Sequence, residues 1–218
     1  MKILVINPGS TSTKIAVYEN DTPRLVRNIR HTVDELSSFS HIIDQFEFRK
    51  NLVLKELEAN NIPFEFDAIV GRGGLLKPIP GGVYEVNDAM LDDILHAMRT
   101  HACNLGCLIA SELAALLPGC RAFIADPGVV DELDEIARIT GSPLMPRITI
   151  WHALNQRAIA RRYAAAQHVR YEDLDLIVCH LGGGISIGVH HHGKAVDVNN
   201  ALDGEGPFSP ERAGTLPA

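Results

Sequence analysis

No stretch of this sequence approaches the ~20 consecutive apolar residues that carry a helix through a bilayer. No signal-peptide pattern opens it either, because one lysine leads at once into an apolar run. Excess positive charge is missing: the 218 residues carry a net charge of −7, which argues against a nucleic-acid partner. Cysteine is sparse, at positions 103, 107, 120 and 179. The Cys103–Cys107 spacing would serve a metal only with two further ligands nearby, and the sequence offers none. Small buried thiols in a reduced, cytoplasmic chain are the expectation. Two familiar phosphate motifs are absent as well. No glycine loop ends in Gly-Lys-Ser/Thr, which excludes a Walker loop. The triple glycine at 182–184 lacks Gly-x-Gly-x-x-Gly spacing and leads into a strand, which excludes a Rossmann fingerprint.

What is present has the composition of a soluble globular protein, 46% hydrophobic and 22% charged, with room for one large domain or two small ones. Ile3 to Ile6 reads as a buried strand. It enters the turn Asn7-Pro8-Gly9-Ser10-Thr11-Ser12-Thr13, and Lys14 opens the strand Ile15 to Tyr18, so the pattern is a β-hairpin with a polar tip. Backbone N–H groups, hydroxyls and a lysine at such a tip suit a phosphate. The arrangement recurs where Val178-Cys179-His180 leads into Leu181-Gly182-Gly183-Gly184-Ile185-Ser186 and a strand from Ile187. Aligning Gly9 with Gly182 places Thr13 on Ser186. A third strand follows each hairpin, Arg24 to His31 and Lys194 to Asn199. Two similar domains gripping one polyphosphate are therefore expected.

Between the hairpins, Thr32-Val33-Asp34-Glu35 reads as a capping box. A helix over 41–60 carries Ile42, Phe46, Val53 and Leu57 on one face. Phe66 to Val70 reads as a strand ending in the loop Gly71-Arg72-Gly73-Gly74. Asn87 is expected to cap a short helix using Leu91, Ile94, Leu95 and Met98, and Asn104 to cap an alanine-rich one. Arg121 to Ala125 is a further strand, closing at Asp126. A long helix is expected over 151–167, and the run His190-His191-His192 reads as a solvated turn. The fold class is α/β with mixed sheets and a duplicated architecture. The first domain is expected over 1–148, with a boundary in 141–146, and the start of a second over 149–218. The last ten residues fall in mid-motif, so that second domain is expected to be incomplete.

The motifs Asn7 to Lys14, His180 to Ser186 and Pro207-Phe208-Ser209-Pro210-Glu211-Arg212-Ala213-Gly214 together resemble the acetate/butyrate kinase family, along residues 1 to 218. The resemblance implies the actin-like ATPase fold, built of duplicated ribonuclease H-like domains. It implies transfer of the γ-phosphoryl group of ATP to a short-chain carboxylate. Pro8 and Gly183 point to the butyrate (or branched-chain fatty acid) branch. Cofactors implied are ATP and Mg2+, with the adenosine pocket and a further acidic magnesium ligand expected downstream.

A carboxylic acid with a pKa of about 4–5 is already ionised at pH 7, so the nucleophile needs no general base. It needs relief of anion repulsion and stabilisation of the transferring phosphoryl group. Arg72, flanked by glycines, can fork onto a carboxylate, and by resemblance it binds the substrate. By resemblance Arg212 stabilises the transition state, although from the sequence alone a surface arginine reads as well. His152 lies at a helix start, where the dipole disfavours a protonated ring, and by resemblance it donates to the phosphoryl group. Asp126 matches the family's active-site aspartate and is read as positioning magnesium. Asn7 offers that ion a neutral oxygen. Ser10, Ser12, Thr13 and Lys14 form one phosphate grip, and His180, Leu181, Gly182, Gly183 and Gly184 the other. Leu75, Leu76, Pro78 and Ile79 would favour butyrate over acetate. A non-catalytic remnant, or another phosphotransferase of the superfold such as a sugar kinase or a polyphosphate hydrolase, remain the alternatives. Partners implied are a small carboxylate and ATP, with no membrane or nucleic acid. Exposed apolar surface on the second sheet is expected to promote association with another copy.

Overall fold

The computed structural model describes residues 1–97, 99–202 and 204–215. Of the expected features, Met98 on the apolar helix face and the tail residues Leu216 to Ala218 lie outside them. The chain divides into two compact units, Met1–Lys77 with Val83–Ala125, and Pro78–Gly82 with Asp126–Ala218.

In the first unit, β1 (Lys2–Pro8), β2 (Ser12–Glu19) and β3 (Thr22–Arg30) form an antiparallel meander. Strands β4 (Ala68–Arg72) and β6 (Arg121–Ala125) extend the sheet from β1 in parallel, and the short β5 (Val83–Glu85) closes it antiparallel to β6. The order is β3-β2-β1-β4-β6-β5. Alternation along β1 and β2 buries Leu4, Ile6, Ile15 and Val17 together. Two helices cover that face, α2 (Phe46–Ala59) through Val53 and Leu57, and α4 (Asn104–Ala115) through Leu105, Ile109 and Leu113. The capping box forms as expected at α1 (Val33–Ser37), where Thr32 accepts from the Glu35 N–H and Glu35 accepts from the Thr32 N–H. Asn87 caps α3 (Asp88–Leu95) through Met90 N–H at 3.0 Å.

Asn104 departs from expectation. The residue at the cap position of α4 is Cys103, and Asn104 Oδ1 instead accepts from the backbone N–H of Leu75 at 3.0 Å. It ties the glycine loop after β4 to the helix start. The helix expected over 41–60 opens as a single 3-10 turn, Ile43–Gln45, before α2 begins.

In the second unit, α5 (Ala153–Ala166) precedes a three-stranded antiparallel sheet of β7 (Asp175–Leu181), β8 (Ile185–His191) and β9 (Lys194–Val198), in the order β7-β8-β9. Trp151, Val130, Leu133, Ala195 and Val198 form one small core, and Ala160, Ala164 and Tyr171 a second against Leu176 and Val178. The opposite side chains of β7 and β8, Ile177, Cys179, Leu181, Ile187 and Val189, are exposed. His190 corrects the expectation of a solvated histidine turn. Strand β8 continues through His191, so alternation carries His190 fully inside while His191 and His192 face water.

Candidate active site

The first hairpin is held from behind. Asn7 lies opposite Lys14 and Pro8 opposite Thr13, and the Gly9 N–H closes the tip onto Ser12 O at 2.7 Å. Ser10 and Lys14 are exposed, and Ser12 is half-buried. Thr13 is fully buried, and its hydroxyl is engaged by His31 Nε2 at 2.9 Å and by Arg49 Nη1 at 3.0 Å. It braces the tip from inside instead of presenting a donor at its surface. Arg49, wholly buried on α2, also donates to the carbonyls of Ser12 at 3.2 Å and Ser10 at 3.5 Å and to Gln45 Oε1. No carboxylate is among these partners, and burial pushes its guanidinium down to about 10. Burial, with the charge of Arg49 beside it, also pushes His31 below the ordinary imidazole value.

Arg72, at the end of β4, reaches Asn7 Oδ1 with Nη1 at 3.5 Å, so strand pairing brings the expected carboxylate-binding arginine beside the first hairpin. The approach depends on glycine. A Cβ at Gly71 would collide with the carbonyl of Gly106, and one at Gly106 with that of Arg72, so β4 and the first turn of α4 meet backbone to backbone. Cys103, buried at that helix start, has its thiol pushed up to about 11 by burial, with Arg72 nearby pulling the other way.

The second tip is one residue tighter. Leu181 pairs with Ile185 and His180 with Ser186, leaving only Gly182–Gly184 in the turn. Three expected site residues meet there. His152 and His180 stack with ring centroids 3.7 Å apart and planes 2° from parallel, and Asn155 holds His180 Nδ1 at 2.9 Å. Arg212 lies against Gly184, where an added Cβ would strike Nη1 and come within 3.3 Å of His152 Cε1. Glu211 packs against Gly183 and donates its N–H to the Gly183 carbonyl at 3.2 Å. Leu181 is exposed. A polar cleft of about 290 Å3 opens beside this tip, lined in part by Asn199, Glu205, Ser209, Glu211 and Arg212.

Asp126 is buried at a left-handed φ of 36°. Its Oδ1 lies 3.0 Å from Arg157 Nε and its Oδ2 3.1 Å from Arg161 Nη1. Arg157 in turn pairs with buried Glu132 at 2.8 Å. Both oxygens of the expected magnesium-positioning carboxylate thus face guanidinium groups. Among the described residues no group of three or more His, Cys, Asp or Glu side chains is placed to hold a metal ion. Nor is any described helix long and apolar enough to cross a membrane.

Sequence reading missed Arg49, Gln45 and His31 behind the first tip, and Gln156 behind the second. The signal was available: Arg49 stands in the apolar stripe with Phe46, Val53 and Leu57, and Gln156 in the stripe with Ala153, Ala160 and Ala164.

No protein-family model matches the sequence. Over all of its residues the chain is 80% identical to a protein of Bacteroides thetaiotaomicron named "Probable butyrate kinase", of which it covers 62%. It is similar along its whole length to butyrate kinases. It is 55% identical to "Butyrate kinase 2" of Clostridium acetobutylicum, again across the whole chain and 61% of that protein. Among solved structures, a propionate kinase of Francisella tularensis superposes with a TM-score of 0.67 at 17% identity, covering 99% of this chain and 62% of that one. The acetate kinase of Porphyromonas gingivalis gives 0.65 at 19% identity, over 99% and 61%. The fold is the actin-like one of the acetate and propionate kinases. The chain spans about three fifths of the length of the butyrate kinases it matches.

Proposed function

We propose that this chain is the part of a short-chain carboxylate kinase that carries the substrate arginine and both phosphate hairpins, transferring the γ-phosphoryl group of ATP to butyrate or a branched short-chain acid. The observation that carries this reading is 80% identity, without a gap in coverage of the chain, to a protein named for butyrate phosphorylation. In this reading Arg72 takes the substrate carboxylate, and Asn7 keeps its side chain aligned. Ser10, Ser12 and Lys14 contact phosphate at the first tip, over the brace formed by Thr13. His180, Leu181 and Gly182–Gly184 do so at the second, and His152 and Arg212 take up charge on the transferring group. The carboxylate is its own nucleophile, so no base is assigned, and preorganised donors supply the rate. Magnesium would arrive with the nucleotide. Asn7 could reach it through water, but the donor set of the described residues does not form a cage for it, and no step is routed through it. Asp126 could approach such an ion only if half-exposed Arg161 released its oxygen. The same reading assigns residues 1–148 to a first actin-like domain and 149–218 to the second, in a cytoplasmic protein that associates with further copies.

The share of the relatives that is covered favours a second reading for the 218 residues alone: they bind phosphate without turning over. An acyl-hydroxamate assay on a chain extended to the relatives' length, with butyrate and with acetate, tests the first reading. Absence of butyryl phosphate from the extended chain would refute it. Equal turnover by the 218-residue chain would refute the second.

A further inference from the structure

A line of buried polar side chains runs inward from the second hairpin, and its hydrogen atoms can be counted. Gln156 places one side-chain atom 3.0 Å from the carbonyl oxygen of Ser186 and 2.8 Å from its Oγ. A carbonyl only accepts, so that atom is the amide nitrogen, and it spends one proton on each oxygen. Its carbonyl oxygen therefore faces His190 Nε2 at 2.9 Å, which must carry a proton. His190 is fully buried, and burial pushes its pKa down to about 4, so the ring is neutral and Nδ1 accepts from the hydroxyl of Tyr171. Gly188 leaves the room Gln156 needs, since a Cβ there would collide with Oε1.

At the other end, Ser186 Oγ receives the Gln156 proton and faces the backbone N–H of His152 at 3.4 Å. Both lone pairs are then taken. The single hydroxyl proton has one remaining direction, His152 Nδ1 at 2.9 Å. We infer that Ser186, Gln156, His190 and Tyr171 are positioning residues, a one-way hydrogen-bond chain that holds His152 as the neutral tautomer with its proton on Nε2. Protonating Nδ1 would set three donors against one hydroxyl oxygen. Of the charged groups around the ring, the Arg212 cation disfavours a second proton and the Glu211 carboxylate favours one. His180 is stacked on it, and Arg212 meets it over Gly184, while the Glu211 carboxylate faces Gly183. A neutral Nε2–H donates a hydrogen bond to a phosphoryl oxygen without having to lose a proton. That use of the donor rests on the kinase reading; the tautomer does not.

The experiment is two-bond 1H–15N correlation spectroscopy on the 218-residue chain labelled at histidine nitrogens, the His152 signals being identified by their loss in His152→Gln. The expected result at pH 7 is a single Nε2–H tautomer. Ser186→Ala should release it, giving mixed tautomers and protonation at least one pH unit higher, a tenfold gain in proton affinity. Ser186→Thr, which puts the hydroxyl of the first hairpin in the second, should restore the wild-type pattern. A protonated Nδ1 in the wild-type chain would overturn the inference, whatever the variants do, and so would a Ser186→Ala spectrum unchanged from wild type. Added inorganic pyrophosphate separates the two claims. An Nε2–H tautomer whose signal ignores pyrophosphate supports the positioning chain and counts against the phosphate grip.

Discussion

Thr13 and Ser186 are both fully buried hydroxyls just past a hairpin turn, and each meets an imidazole, but Thr13 also leans on the guanidinium of Arg49, whereas Ser186 leans on neutral Gln156. The helices use the same spacing, Gln45 with Arg49 and His152 with Gln156, four residues apart and one turn along. What differs is what each brace can do. A buried cation draws the carbonyls of Ser10 and Ser12 inward and leaves positive charge beneath the hairpin tip. A neutral chain adds no field and fixes where a proton sits. Under the proposed function, the first brace would favour an anion at its tip, and the second would orient a donor.

The sharpest way to break that comparison is to remove the charge. Arg49→Met takes both guanidinium donors from Gln45 Oε1, while Thr13 keeps His31 and the Ser12 carbonyl keeps the Gly9 N–H. An unpaired buried group costs about 1–3 kcal/mol. A loss of about 1–3 kcal/mol is expected from urea unfolding, with Arg49→Lys in between. A stability change within experimental error would show the brace to be ornamental. The second tip should fail differently, by acid. Burial pushes the folded pKa of His190 down to about 4, below the ordinary imidazole value of 6.5, so between these values the unfolded chain binds more protons. Stability from this group is complete above pH 6.5 and is lost as pH falls toward 4, by about 2 kcal/mol at pH 4.5. The buried His31 adds to the loss in the same direction. Unfolding midpoints at pH 7 and 4.5 should therefore converge in His190→Asn relative to wild type.

Two smaller effects sharpen the contrast at the surface. In a chain extended to the relatives' length, Arg72→Lys loses the forked grip, and apparent butyrate affinity should fall by about 1–3 kcal/mol with ATP saturating. An unchanged Michaelis constant would remove Arg72 from the substrate. Gly9→Ala should change stability by less than about 0.5 kcal/mol, as is usual where a side chain meets open space. Gly184→Ala, at a buried position, should cost more because its Cβ must push Arg212 aside. Their effects on phosphate binding should diverge. A Cβ at Gly9 meets nothing nearer than Ser12 O at 3.4 Å, while at Gly184 it displaces Arg212. Pyrophosphate titration by calorimetry distinguishes the two variants.

Most of the frame was legible because its elements announce themselves locally. The apolar β-branched runs of β1, β2 and β6 and the Thr32–Glu35 box depend on neighbours in sequence, and they form as read. Strand β5 was not legible, because Val83–Glu85 is three residues long, largely exposed, and exists only by pairing with β6. The site divides along the same line. Arg72 could be singled out from the glycines around it. That Asn104 serves the loop at Leu75 and not its own helix, and that Arg157 and Arg161 occupy Asp126, depends on pairings across 29, 31 and 35 residues, which no local pattern records. His190 was misread because a histidine run before a glycine looks like a turn, while the strand period decides burial residue by residue.

The exposed side of β7 has a practical use. Cys103 and Cys107 are buried, with thiols pushed up to about 11 and 12, and burial also raises partly covered Cys120. Cys179 alone is exposed, on the strand position next to His180. A thiol-reactive fluorophore added near neutral pH should therefore attach at one place, since thiolate is the reactive form. The native chain thus comes with a single-site optical reporter beside its stacked histidines, and no residue need be changed to install it.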